Sequence, residues 1–413
     1  MDRVQISVFG PANSGKSTLV NAICGQEVSL VSAVPGTTTD PVRKAIELPY
    51  GIGPAVLVDT AGLDDASILG PERVRRTRQV IDATDIAIVL DIESPSTKSL
   101  LELLDQADVP VVPYTRDETV EELLRAVAAV LPQNGPAWLT GRLVSKGDLV
   151  VLVMPQDSEA PKGRLILPQV QIIRELLDRG CTPVCCTPDS LASTVAGLKD
   201  APAVVITDSQ VFKFVNESIP ADWPLTSFSI LLAAAKGDIR TFIEGARAMA
   251  NLKPGAKVLI AEACTHVPDT EDIGRVKIPN LLRKRVPDLE AVVAAGNDFP
   301  EDLSPYSLII HCGACVANAA LVRSRIRKAL LAGVPITNYG IAIDLQPKGD
   351  LPGCFASFIC QYQDINFIIR YITDEGTFEL STAEVKEVFE GMNLNNLEIM
   401  NSLKELIREN IGG

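Results

Sequence analysis

Gly10-Pro11-Ala12-Asn13-Ser14-Gly15-Lys16-Ser17 follows the alternating run Val4, Ile6 and Val8 and opens a helical stretch over residues 18–24. Strand, glycine-bounded loop and helix in that order form the P-loop pattern, which makes the N-terminal part an α/β nucleotide-binding domain. The glycines let backbone N–H groups curl round phosphates, with Asn13 and Ser14 between Gly10 and Gly15, and Thr18 just beyond. Lys16 supplies a point charge to the phosphates, and Ser17 can ligate Mg2+.

Working outward, Pro35-Gly36-Thr37-Thr38-Thr39-Asp40 is a polar loop that can close over a γ-phosphate, with Thr38 as the expected second Mg2+ ligand. Residues 54–58 form an apolar strand ending in Asp59-Thr60-Ala61-Gly62. There Asp59 can hold the metal's water shell, and the Gly62 amide can sense the γ-phosphate. Order and spacing together point to a nucleoside triphosphatase of the small GTPase type, with Lys16, Thr38, Asp59 and Gly62 as its candidate catalytic residues.

These residues resemble the translation-factor-related GTPases, in the branch that reads Gly-Thr-Thr-x-Asp and then Asp-Thr-Ala-Gly-Leu. The resemblance implies GTP as substrate, hydrolysed to GDP and phosphate, and a K+ ion at Asn13 standing in for an arginine finger. Leu63 occupies the place where Ras-like enzymes carry a water-positioning glutamine. Slow hydrolysis stimulated by K+ is the expectation.

Guanine specificity in such enzymes comes from Asn-Lys-x-Asp, and no Asn-Lys pair exists in this sequence. One reading places Thr115-Arg116-Asp117-Glu118 there, after a strand over residues 109–114. A second takes residues 85–90 and 109–114 as strands, and 97–106 and 119–131 as helices. On that reading the unit carrying the base reader is missing.

The chain has 413 residues, 46% of them apolar, enough for two or three domains with separate cores. Its net charge of -14 argues against a nucleic-acid surface, which needs a basic face. No apolar run is long enough to span a bilayer, and Met1-Asp2-Arg3 leads directly into the first strand. A soluble cytoplasmic protein without a signal peptide is expected. Nine cysteines, an odd number in a chain of this size, read as reduced thiols. Cys24, Cys181, Cys185, Cys186, Cys354 and Cys360 read as small buried hydrophobes, and Cys185 and Cys186 as neighbours on opposite faces of one strand.

After a turn-rich break over residues 132–136, strands at 148–154, 182–186 and 203–207 alternate with helices at 168–179 and 191–198. This alternation predicts a parallel sheet. A further strand over residues 257–261 is followed by Cys264-Thr265-His266, and one over 307–310 by His311-Cys312-Gly313-Ala314-Cys315. These two pieces hold both histidines of the protein. A helix over 316–332 and a strand over 334–338 follow, so both halves of the motif fall at the carboxyl edge of a parallel sheet. Cys315 at a helix start is placed to favour thiolate. The ligand types leave a dithiol redox pair, a structural zinc and a 4Fe-4S cluster with one open iron all available.

Ala160-Pro161-Lys162-Gly163-Arg164-Leu165-Ile166-Leu167-Pro168-Gln169, Ile206-Thr207-Asp208-Ser209-Gln210 and residues 225–231 resemble the maturation GTPase of iron-iron hydrogenases, the HydF family. So do Asp272-Ile273-Gly274-Arg275-Val276-Lys277-Ile278-Pro279 and Pro335-Ile336-Thr337-Asn338-Tyr339-Gly340. The family's Cys-x-His and His-Cys-x-x-Cys pattern is matched by Cys264, His266, His311, Cys312 and Cys315.

The resemblance implies a GTPase domain over 1–132, an α/β dimerisation domain over 137–250 and a 4Fe-4S-binding domain over 251–413, sheets mainly parallel. It also implies a homodimeric scaffold that receives a transient di-iron precursor. The two radical-SAM hydrogenase maturases and apo-hydrogenase would be its partners. Residues 345–413 lie past the resemblance and read as an appendage with helices at 382–390 and 396–411. The alternative is a regulatory P-loop triphosphatase with a zinc module.

Overall fold

A computed structural model of the chain describes residues 3–26, 41–60, 70–131, 138–141, 143–156, 163, 165–220, 222–263, 272–296, 298–344, 358–362, 365–369 and 379–381. Packing divides it into two compact units, Met1–Pro136 with Ala317–Arg327, and Ala137–Val316 with Lys328–Gly413.

The first unit runs β1 (Val4–Phe9), α1 (Lys16–Cys24), β2 (Val42–Leu48), β3 (Gly53–Asp59), α2 (Gly70–Asp82), β4 (Ile86–Leu90), α3 (Pro95–Gln106), β5 (Val111–Tyr114) and α4 (Val120–Val130). Its sheet has the order β2-β3-β1-β4-β5, with only β2 antiparallel to its neighbour. Successive side chains of a strand point to opposite faces, and the sheet sorts its apolar residues accordingly. Ile6, Val8, Leu57, Ile86 and Ile88 pack with Leu19 and Val20 of α1 and Leu123 and Val127 of α4. Phe9, Val58, Ala87 and Val89 pack with Val80 and Ile81 of α2 and Leu100 and Leu104 of α3. Cover on both faces explains why β4 reads as an unbroken apolar run, every residue buried. A reciprocal cap starts α4: Thr119 Oγ1 accepts from the Glu122 N–H at 3.2 Å, and Glu122 Oε2 accepts from the Thr119 N–H at 2.8 Å. Within this unit Asn318 Nδ2 donates to Ala83 O and Asp85 Oδ2, each at 2.7 Å.

The second unit holds two four-stranded sheets. The first is built from β6 (Leu149–Val153), α5 (Leu167–Asp178), β7 (Thr182–Cys186), α6 (Leu191–Gly197), β8 (Val204–Thr207), α7 (Phe212–Ser218), β9 (Leu225–Ser227) and α8 (Phe228–Lys236). Its strands lie in the order β7-β6-β8-β9, all parallel. The second is built from α9 (Ile239–Ala248), β10 (Lys257–Ala261), α10 (Ile278–Arg283), β11 (Glu290–Ala294), β12 (Leu308–His311), α11 (Ala319–Leu331, its residues up to Arg327 lying in the first unit), β13 (Ile336–Asn338) and α12 (Tyr339–Asp344). The order here is β11-β10-β12-β13, again parallel throughout. The α/β class with mainly parallel sheets is as the sequence predicts. Cys185 is exposed and Cys186 buried, as neighbours on one strand should be.

Past residue 344 the structure departs from expectation. β14 (Phe358–Tyr362), β15 (Ile365–Ile369) and β16 (Glu379–Ser381) form an antiparallel sheet in that order. Residues 358–362 and 365–369 are rich in aromatic and β-branched types, the strand signal a helical reading passes over. The helices expected at 382–390 and 396–411 lie outside the described residues.

No helix among the described residues is long and apolar enough to cross a membrane.

Candidate nucleotide and metal sites

The phosphate loop leaves the carboxyl end of β1 and is closed by α1. Asn13 stands at φ 60° and Gly15 at φ 99°, so successive N–H groups turn toward one concavity. At Gly15 that backbone is open to glycine alone without strain, which is why the motif keeps it there. Lys16 is buried, and its Nζ donates to Gly10 O at 3.0 Å and Pro11 O at 2.6 Å. The charge is therefore held inside the loop that would wrap the phosphates.

Ser17 Oγ donates to Asp59 Oδ2 at 2.6 Å, which brings the two expected oxygens of a magnesium site together from α1 and β3. Asp59 is fully buried, and its Oδ1 has no hydrogen-bond partner. A buried carboxylate oxygen left over in this way fits a hydrated divalent cation, since few such groups go unsatisfied. Ser14 Oγ is likewise buried and unpartnered. Asn13 and Thr18 are exposed on the loop's rim. Thr38, Gly62 and Leu63 lie outside the described residues.

β5 pairs directly with β4, so the loop that follows it emerges at the same carboxyl edge as the phosphate loop. Arg116 from that loop donates from a terminal nitrogen to Ser14 O at 3.1 Å. The elements fall as the second reading has them, with strands β4 and β5 and helices α3 and α4, and Thr115-Arg116-Asp117-Glu118 lies beside the phosphate loop. Glu118 Oε2 itself accepts from the Thr115 N–H at 3.0 Å, which tightens the turn. The signal for Arg116 was a basic residue just past a parallel strand.

The cysteine site forms in the second unit. β10 and β12 are adjacent and in register, with Ala261 opposite His311. The residues just past each strand thus emerge side by side: Glu262 and Ala263 from one, Cys312 from the other. The Cys312 N–H donates to Ala261 O at 2.9 Å. Two backbone donors converge on the Cys312 sulfur, Ala263 N at 3.1 Å and Ala314 N at 3.4 Å. N–H groups directed at sulfur stabilise it as thiolate, the form that binds metal. The donor set therefore fits a thiolate-held metal or iron-sulfur group.

Ala314 adopts φ 51°, and its carbonyl accepts from Lys236 Nζ at 2.9 Å. Lys236 is almost wholly buried at the end of α8, so a cation braces the turn between Cys312 and Cys315. His311 is buried, with Nδ1 2.7 Å from Cys312 O. Because a carbonyl can only accept, Nδ1–H is the donor in that contact. Of the five predicted ligands, Cys264 and His266 lie outside the described residues, while His311 ends β12 and Cys312 and Cys315 follow it. No group of three metal-ligating side chains is complete among the described residues.

Burial raises the pKa values of Cys24, Cys181 and Cys186, which favours their thiol form. Sequence reasoning passed over Lys236, Glu262 and Arg275. Arg275 clamps Glu262, with its Nε 3.3 Å from Oε1 and a terminal nitrogen 2.8 Å from Oε2.

The phosphate loop, its adjoining carboxylate and the parallel sheet define a P-loop GTPase-class domain. Comparison with known proteins agrees: a family model described as a 50S ribosome-binding GTPase matches residues 5–116. Models of the hydrogen maturase F dimerization and tetramerization domains match residues 139–237 and 240–348. The chain belongs to the hydrogen maturase F (HydF) family of hydrogenase maturation GTPases.

Among curated relatives, the rat mitochondrial 5-taurinomethyluridine tRNA synthase subunit GTPB3 is 38% identical over 139 residues, 33% of this chain and 28% of that protein. The tRNA modification GTPase MnmE of Acidiphilium cryptum is 47% identical over 89 residues, 21% of this chain and 20% of its own. GTPase Der of Sulfurimonas denitrificans is 40% identical over 98 residues, 23% of this chain and 19% of its own. The matches thus span under a third of each of these relatives. Era from Aquifex aeolicus, bound to GDP and aluminium fluoride, covers 78% of this chain and 100% of its own at 15% identity and a TM-score of 0.25. A likeness at that score bears on neither fold nor function.

Proposed function

We propose that this protein is a GTP-hydrolysing scaffold and carrier of hydrogenase maturation. It holds a 4Fe-4S cluster through Cys264, Cys312 and Cys315 and passes a di-iron precursor to apo-hydrogenase. The observation that carries the cluster reading is the pair of N–H groups on the Cys312 sulfur, in a chain that also has the family's dimerization and tetramerization domains. The cluster would supply an iron without a protein thiolate, open to an exchangeable ligand. His266 and His311 are the side chains available to tune that position. Lys236 fixes the turn that spaces Cys312 from Cys315.

At the other site Lys16 would meet the β- and γ-phosphates, Ser17 and Thr38 would ligate Mg2+, and Asp59 would hold its water shell. The Gly62 amide would sense the γ-phosphate. Asn13 would place a K+ ion against the phosphates, and hydrolysis would be slow without it. The product is GDP and phosphate, and hydrolysis acts as a switch between partners. The protein works as a homodimer in the cytoplasm, with the two radical-SAM maturases supplying its cargo.

Zinc is the competing occupant, because the same side chains suit it. Protein prepared without air and reconstituted with iron and sulfide should be brown and lose absorption on reduction. A colourless protein carrying zinc would replace the cluster reading with the regulatory one.

A further inference from the structure

Helix α5 carries apolar side chains on two opposite sides. Pro168, Ile172 and Leu176 turn one side toward the sheet and are buried, Ile172 and Leu176 within its core. A helix lying on a sheet should offer solvent a polar outer side. Here Leu167, Val170 and Leu177 stand 43%, 46% and 53% exposed. With Arg174, these three fall within about a quarter turn of one another, opposite the buried side. Leu165, just before the helix, adds a further apolar side chain at 47% exposure. Single exposed leucines are ordinary on a protein surface, but a contiguous row facing away from the core marks a contact surface.

The row is its own complement. It ends in a leucine on each side, with Val170 and Arg174 between them. Laid antiparallel on a second copy about a two-fold axis at the helix middle, Leu167 meets the partner subunit's Leu177, and Val170 meets the apolar stem of the partner subunit's Arg174. The Arg174 charge is answered on its own helix, where Nε donates to Asp178 Oδ2 at 3.1 Å. Pairing therefore sets no bare charge against its like. The whole helix lies within residues 139–237, which match the family's dimerization domain, and this argues for a second copy of the chain as the occupant.

We propose that the outer side of α5, with Leu167, Val170 and Leu177 at its centre, is the surface through which two copies of this chain associate. The proposal rests on the homodimer reading above and assigns that dimer its surface. Side-chain ridges of two such helices interlock at close range, and the self-complementary contact closes at two copies.

Sedimentation of the full-length protein at micromolar concentration reads the assembled mass. Val170→Glu combined with Leu177→Glu should halve that mass and weaken self-association about a hundredfold or more, because like charges then meet across an apolar contact. Phe214→Glu, on α7 and 48% exposed, should leave the mass unchanged. An unchanged mass in the α5 variant overturns the proposal, and so does an equal loss with Phe214→Glu. Hydroxyl-radical footprinting of the parent depends on no variant folding. Leu167, Val170 and Leu177 should be oxidised severalfold faster once dilution separates the copies. Equal rates before and after dilution overturn the proposal: slow at both, another part of the same chain covers the row, and fast at both, it meets no second copy. A parent that sediments as a single copy at every concentration fails the homodimer reading as well, whereas a dimer that both tests leave untouched fails this surface alone.

Discussion

The phosphate loop and the cysteine turn are built alike and read differently. Each leaves the carboxyl end of a buried parallel strand, and each contains a residue with positive φ, Asn13 at 60° and Ala314 at 51°. Each also braces a carbonyl of its loop with a buried lysine, Lys16 on Gly10 and Pro11, and Lys236 on Ala314. The difference is where the bracing residues come from. The phosphate loop carries its own lysine six residues along, whereas the cysteine turn borrows one from the end of α8 and one of its two N–H donors, that of Ala263, from the segment after β10. A loop that is self-contained in sequence is legible there. A loop completed from elsewhere needs the topology.

The largest effect that could break this comparison is at the charge each loop depends on. Lys16→Ala should lower phosphate release from GTP by about a hundredfold or more, with the cysteine site still loading iron. If hydrogenase matures at full rate with that variant, the nucleotide switch is excluded. Next comes the space around Tyr339. Gly274→Ala should destabilise the protein by about 1–3 kcal/mol in thermal or denaturant unfolding, because the added carbon meets the tyrosine ring. Gly313→Ala, where the nearest atom is the Ser229 hydroxyl at 3.5 Å, should change stability by less than about 0.5 kcal/mol. Equal effects for the two glycines would dissolve the tyrosine contact.

A smaller effect concerns pH. Burial raises the Tyr339 pKa above the ordinary 10.0, so the folded state favours the neutral phenol. Stability from this group is whole below that ordinary value and is lost as pH rises toward the folded one. The parent should therefore lose stability more steeply than Tyr339→Phe in alkaline unfolding above about pH 10. Parallel curves would contradict that placement. Thr119→Ala, which removes only the cap of α4, should cost about 1 kcal/mol and leave both sites loading normally.

What the sequence revealed follows from the same contrast. Gly15, Lys16, Ser17 and Asp59 could be assigned because each belongs to a contiguous motif with a fixed backbone form. Both parallel sheets were legible from apolar runs alternating with helical spacing. His311 and Cys312 could be placed at a strand end, and that placement holds in β12. Arg116 was harder, because its role depends on β5 lying next to β4, which is pairing and not pattern. Lys236 gave no local sign: it sits 78 residues before the carbonyl it holds. Tyr339 and Gly274 appeared only as matching family words, and their shared volume exists only once β13 and the π-type turn over Ile273–Lys277 are folded together. The strands at 358–381 were missed because attention to helical spacing beyond them outweighed their β-branched composition.

The central claim is that one chain joins a nucleotide loop to a thiolate-held cluster. Iron and acid-labile sulfide per chain, measured after anaerobic reconstitution in the parent and in Cys312→Ser, test it most directly. The parent should hold about four of each, and Cys312→Ser should lose most of both while still releasing phosphate from GTP. About one zinc per chain in the parent with no labile sulfide, or iron unchanged in Cys312→Ser, would contradict it.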